Sequence, residues 1–183
     1  MILTLVLAVV FAVVAAGDSL YFHIWKYRLH NRVECAWEHL LHTANVCVFV
    51  PQIYLFFCVD AHGAWLVAAA ALCAATLAIE VADVLSEHQS RRFIGGLTPV
   101  EYLLHFLMAG LRMGFVIAFF GGRSLDDFAG PAVLGEPLWY VRAVGLCLLA
   151  PGLVIAAVHL VLVVTGRRQR AALTPSRAST ALG

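Results

Sequence analysis

Five stretches of this chain stay apolar for longer than a soluble helix ordinarily does: residues 2–25, 37–59, 64–87, 99–121 and 139–165. A helix needs about 20 apolar residues to cross the hydrocarbon core of a bilayer. The runs are continuous rather than alternating, so they predict membrane helices and not the strands of a barrel. The expected fold class is all-α integral membrane with five transmembrane helices. The first run reaches Ala15-Ala16-Gly17, the kind of site at which a secretory leader is cut. It lacks a basic leading region and continues through Phe22, so a span is expected there instead.

Composition supports this. The chain is 62% hydrophobic and 13% charged, whereas a soluble domain of this size carries about a quarter charged residues. Too little polar surface remains to cover a water-soluble globule. The net charge of +1 comes with no basic patch interleaved with aromatics, so no nucleic-acid partner is expected. Cys35, Cys47, Cys58, Cys73 and Cys147 lie in or beside the apolar runs without a CxxC pair, and read as small buried hydrophobes.

Charge sets an expected orientation. Lys26, Arg28 and Arg32 lie between spans one and two, Arg91 and Arg92 between three and four, and Arg167, Arg168 and Arg170 after span five. The other two loops are poor in base. The positive-inside rule then places the N-terminus outside and the C-terminus in the cytoplasm of a cell (inner) membrane protein. Trp25, Tyr27 and Trp37 would line one interface, and Tyr54, Trp65, Trp139 and Tyr140 the other.

The polar residues inside the spans recur. Asp18-Ser-Leu20-Tyr-Phe-His23 matches Asp83-Val-Leu85-Ser-Glu-His88 at an offset of 65 residues. Glu38-His-Leu-Leu-His42 matches Glu101-Tyr-Leu-Leu-His105 at an offset of 63, and Phe56-Phe57 matches Phe119-Phe120 at the same offset. Chance likeness between apolar helices matches Leu and Val; here the matched residues are Asp, Glu and His. The first four spans are therefore expected to form a four-helix transmembrane bundle over 1–121, built from two repeated helical hairpins at about 1–59 and 64–121. The division continues with an extracytoplasmic loop over 122–138, a fifth helix over 139–166 and a disordered cytoplasmic tail over 167–183. Span five, with His159 as its interior polar group, reads as an appended packing helix.

Up-and-down topology brings the four motifs to one depth near the cytoplasmic side. Ionisable groups in a span are expensive and usually mark a function. Asp18, His23, Glu38, His42, Asp83, His88, Glu101 and His105 are the candidate metal ligands. Glu38 with His42, and Glu101 with His105, stand four apart and share a helix face. The five-residue step from Asp18 to His23, and from Asp83 to His88, turns an α-helix by roughly 140°, which is poor for one ligand face. Either the helices distort there, or one member of each pair orients a ligand. Competing roles exist. Glu101 belongs to a capping box with Thr98 and Pro99, and Asn31 and Glu34 look like the corresponding cap of span two. His30, His39 and His62 read as facing solvent or headgroups. Glu80 and Arg112, too deep for water, are expected to pair, or Glu80 to add a ligand; Glu87 is a ligand or interfacial. Arg28, Arg32, Arg91 and Arg92 are candidates for a phosphate headgroup, against plain positive-inside topology.

In ligand logic the set resembles the di-metal carboxylate bundles, which use ExxH where this chain has ExxxH. Carboxylate and imidazole donors without thiolate suit divalent iron, manganese or zinc, with two iron ions expected first. The expected function is a metal-dependent oxidoreductase acting on a lipid or other hydrophobic small molecule. The HxxxH and HxxHH boxes of the membrane desaturases are absent. The alternatives are a divalent-metal transporter or binding protein, a b-type haem protein ligated by two of the motif histidines, and a zinc hydrolase.

Overall fold

A computed structural model describes the backbone of residues 1–92 and 95–173, and the side chains of all of these except His88 and residues 167–173. Five helices are long and apolar enough to cross a membrane: Ile2–Lys26, Ala36–Cys58, Ala64–Glu87, Pro99–Phe120 and Trp139–Gly166. The side chains of Arg167, Arg168 and Arg170, and the tail beyond Leu173, lie outside what is described.

Helix α1 (Ile2–Gly17) runs without a break into a π-helical segment, Asp18–Lys26. Helix α2 (Ala36–Ile53) ends in a second π-helical turn, Tyr54–Cys58. Then follow α3 (Ala64–Ser90), α4 (Pro99–Phe120), the short α5 (Leu125–Ala129) and α6 (Trp139–Leu173). The capping box of α4 is formed: Thr98 accepts from the Glu101 amide, and Glu101 reaches back to Thr98. The cap expected for α2 is not. Cys35, not Asn31, is its N-cap, and no side chain bonds the first turn. Arg28 takes a left-handed φ of 50° and Leu29–Asn31 form a 3₁₀ turn, which delays the start of α2 past those residues.

Helix α1 packs along α4, and α2 packs along both α3 and α6, whereas α3 and α4 touch each other sparsely. Bulky rings fill the space between the two close pairs. Phe11 stands edge-on to both Phe49 and Phe115. Phe56 and Phe119 stack in parallel, 3.9 Å apart and 5° from coplanar. All but Phe49 of these rings are buried. Helix α6 comes close because residue 145 is glycine: a Cβ there would lie 2.7 Å from the Phe57 Cβ.

The segment from 121 to 138 holds more structure than its Gly and Pro content suggests. Besides α5 it contributes β2 (Leu134–Gly135), which pairs antiparallel with β1 (Asp60–Ala61). His62 does not simply face solvent: its Nε2 lies 3.1 Å from Asp60 and its Nδ1 3.2 Å from Asp127. Arg123 completes the clamp at 2.7 Å from Asp60. Partial burial opposes ionisation of Asp60, but Arg123 and His62 outweigh it and hold the carboxyl below its ordinary range. The Ser124 backbone and hydroxyl do the same for Asp127.

Candidate metal centre

The π-helix decides the geometry of the first motif. Its i→i+5 bonding brings residues five apart together, where an α-helix would splay them. His23 Nδ1 accordingly lies 3.2 Å from Asp18 Oδ2, and both side chains are buried. The second motif stays α-helical, so a step of four is the favourable one there. Glu87, four residues after Asp83, is buried and sits 2.9 Å from His105 Nδ1. The side chain of His88 lies outside the described residues.

Three histidines converge. The rings of His23 and His42 are 4.2 Å apart, and those of His23 and His105 6.4 Å. On one side of His23, Asp18 Oδ2 also lies 3.7 Å from His105 Nε2. On the other, Glu38 Oε1 lies 3.6 Å from His23 Nε2 and 3.9 Å from His42 Nε2, and Asp83 Oδ2 is 3.3 Å from His42 Nε2. Among the described residues, two groups have donor atoms within 4.8 Å of one another: Asp18, His23 and His105, and His23, Glu38 and His42. His23 belongs to both. Asp18 Oδ1, Asp83 Oδ1 and His42 Nε2 are buried without a hydrogen-bond partner. Asp83 borders the second group through His42.

Glu101 belongs to neither group. It caps α4, accepts from Tyr27 Oη at 3.1 Å and pairs with Arg91 Nη1 at 3.1 Å. Arg91 is the main correction to the expected roles. A candidate for a headgroup or for plain positive-inside topology, it is instead 0% exposed. Its Nη2 and Nε reach Glu38 Oε1 at 2.7 and 3.0 Å, and Nη2 lies 3.2 Å from His23 Nε2. Arg91 ends α3 at the depth of the first turns of α2 and α4, so it points into the bundle. Arg92, one residue on, is exposed. Arg28 lines an open surface groove of about 520 Å³ with Tyr21, Trp25 and Lys26, and Arg32 donates from Nε to the Tyr27 carbonyl.

Other buried partners carried little sequence signal. Ser90 donates to Glu38 Oε2. His159 on α6 bonds Ser19 Oγ at 2.9 Å and stacks on His39 at 5.1 Å. His39, expected to face solvent or headgroups, is 4% exposed because α6 covers that face of α2. Glu80 pairs with Arg112, which also donates to Asn45 Oδ1 at 3.2 Å. Burial, then the nearby Glu38, push the Cys35 thiol up to about 11. No family model, curated protein or solved structure matches the chain.

Proposed function

We propose that the chain is a membrane-embedded metalloprotein holding two divalent ions, iron in the first place, and that it performs redox chemistry on a hydrophobic substrate. One observation carries this reading. Asp18, Glu38, Asp83, Glu87 and Glu101 crowd into one cluster, five carboxylates against the one fully buried guanidinium of Arg91, which pairs with Glu38 and Glu101. Uncompensated charge in a low-dielectric interior is costly, and buried carboxylates in spans are paired or bind cations. Divalent ions would add positive charge to that of Arg91 in this cluster. Each ion has a donor group on its own side of His23, the second of which Arg91 Nη2 shares at His23 Nε2 and Glu38 Oε1, and zinc or manganese would accept the same donors.

The two-hairpin repeat fits the same contacts. Exchanging the copies turns the pair Asp18–His105 into Asp83–His42, and both pairs are close, at 3.7 and 3.3 Å. Tyr27 and Ser90, again 63 residues apart, each donate to the motif glutamate of the other copy. Phe56 and Phe119, equivalent by sequence, stack on each other, as residues meeting at a twofold axis do. Only one guanidinium fits between the two glutamates, which makes the centre asymmetric.

A transport path would have to continue past the centre, where Phe11, Phe56, Phe115 and Phe119 close the bundle. Rings of His23 and His42 4.2 Å apart leave no room for a porphyrin between them. Basic-residue placement puts the centre near the cytoplasmic face of the cell membrane. A cysteine placed at Ser124 should then react with an impermeant reagent added outside; labelling only in inverted vesicles would reverse the orientation.

The ligand assignment is tested by paired substitutions. His42→Ala and His105→Ala each remove a donor from a different group, so each should lower bound metal by a similar amount, about half. His62→Ala, in the clamp at the opposite end, should leave metal content unchanged. Equal metal in all three variants would refute the assignment.

A further inference from the structure

Two neighbouring cations stand without a counter-ion at the end of the first span. Among the described residues, Arg91, Arg112, Arg123 and Arg142 pair with carboxylates, and Lys26 and Arg28 do not. Both line the open groove of about 520 Å³, whose other walls are Tyr21 and Trp25; no carboxylate lines it. The span runs Ile2–Lys26, so the groove lies where hydrocarbon gives way to headgroups. Tyr21 and Trp25 are 46% and 68% exposed, with ring centroids 5.2 Å apart. Such rings suit that boundary, since each joins an apolar body to a polar tip. The cations are held in place. Lys26 Nζ lies 4.8 Å from the ring centroids of both Phe22 and Tyr27, which draws the ammonium back over the rings. Arg28 takes φ 50° and ψ 49°, a left-handed backbone that costs a residue with a Cβ and suits glycine. The turn is pinned by the Asn31 amide, which donates to the Arg28 carbonyl at 2.9 Å, and by Arg32 Nε, which donates to the Tyr27 carbonyl at 3.1 Å. Non-glycine residues held in such conformations collect at ligand clamps.

We propose that this groove binds the phosphate of an anionic phospholipid. Two cations with no carboxylate between them select an anion. They disfavour a zwitterionic headgroup, whose own ammonium would meet the same two positive charges. The exposed Tyr21 and Trp25 select a lipid over a soluble phosphate, because they give the first acyl carbons an apolar wall to lie along. Leu20, 47% exposed, extends that surface toward the hydrocarbon. Plain positive-inside placement needs basic residues on this face, but neither a groove nor an arginine in a left-handed turn. The other three arginines considered for a headgroup drop out. Arg91 is buried in the bundle, Arg32 bonds the Tyr27 carbonyl, and Arg92 lies outside the groove. The lipid site does not rest on the metal reading.

The test uses the full chain in an uncharged detergent. Phosphatidylglycerol, phosphatidylcholine and glycerol 3-phosphate are offered in turn, and bound molecules are counted by native mass spectrometry. The expected result is about one tightly held phosphatidylglycerol per chain, bound about tenfold or more tightly than phosphatidylcholine. Lys26→Gln and Arg28→Gln should each weaken that binding about fivefold, the share of one charge at a membrane surface. Arg92→Gln removes the same charge from the same loop face outside the groove, and should leave the binding unchanged. All three side chains are exposed, so the variants keep the fold. Phosphatidylcholine held as tightly as phosphatidylglycerol, or an equal loss in Arg92→Gln, would overturn the proposal by leaving only general surface charge. Glycerol 3-phosphate bound as tightly as the lipid would overturn it by removing the lipid. Metal is counted in the same samples and should be the same in every variant, which keeps this result separate from the fate of the metal centre.

Discussion

Replacing His23 by alanine is expected to cost the protein nearly all of its bound metal, a larger loss than any other single histidine substitution. His23 is the residue common to both donor groups, with Asp18 and His105 on one side and Glu38 and His42 on the other. Removing a ligand-orienting partner alone typically costs about 10–100-fold in metal affinity, and removing a ligand costs more. His42→Ala and His105→Ala each spare the group they do not belong to. The graded outcome, two ions in wild type, about one in either outer variant and about none in His23→Ala, is read by metal analysis after equilibration at fixed free metal. Equal losses in all three would mean a single site rather than two that share His23.

Arg91→Ala is expected to be the most destabilising single substitution in the chain. Arg91 is fully buried and is held by Glu38 on one side and Glu101 on the other. Removing one partner of a buried ion pair costs about 3–5 kcal/mol, because the charge left behind has lost both water and its counter-ion. Here two carboxylates are left, so the loss should fall at the upper end of that range. Arg92→Ala, one residue along and exposed, should change stability by less than about 0.5 kcal/mol. Thermal unfolding of both variants in the same detergent checks the contrast. Similar stabilities would mean that Arg91 does not bridge the two glutamates.

That contrast also marks where sequence reading stops. Two adjacent arginines in a basic loop look alike to a topology rule, and only the angle at which α3 ends decides which one turns inward. The spans were legible because membrane length and apolar continuity are local properties. The motif residues were legible because Asp, Glu and His are costly in a span and stand out against Leu and Val. The five-residue step from Asp18 to His23 is poor geometry for an α-helix, which leaves a distorted helix or an orienting partner as the two readings. The chain resolves it with a π-helix, whose i→i+5 pattern depends on tertiary fit more than on residue type. The first copy holds two more residues than the second between the matched histidine and the residue that bonds the opposite glutamate, and the π-helix lies at that place. His39 and His159 carried no usable signal, because their burial depends on which face of α2 meets α6. Depth alone left Glu80 either to pair with Arg112 or to add a ligand, and the structure shows the pair.

The central claim is that this cluster is a resident two-metal site. The most direct test is the metal content and absorption spectrum of the purified wild-type protein, supplied in turn with iron, manganese and zinc at neutral pH. The account predicts about two ions per chain, no porphyrin band, and loss of metal on acidification, since imidazole and carboxylate must be deprotonated to bind. A protein that retains no stoichiometric metal under any of these conditions would contradict it.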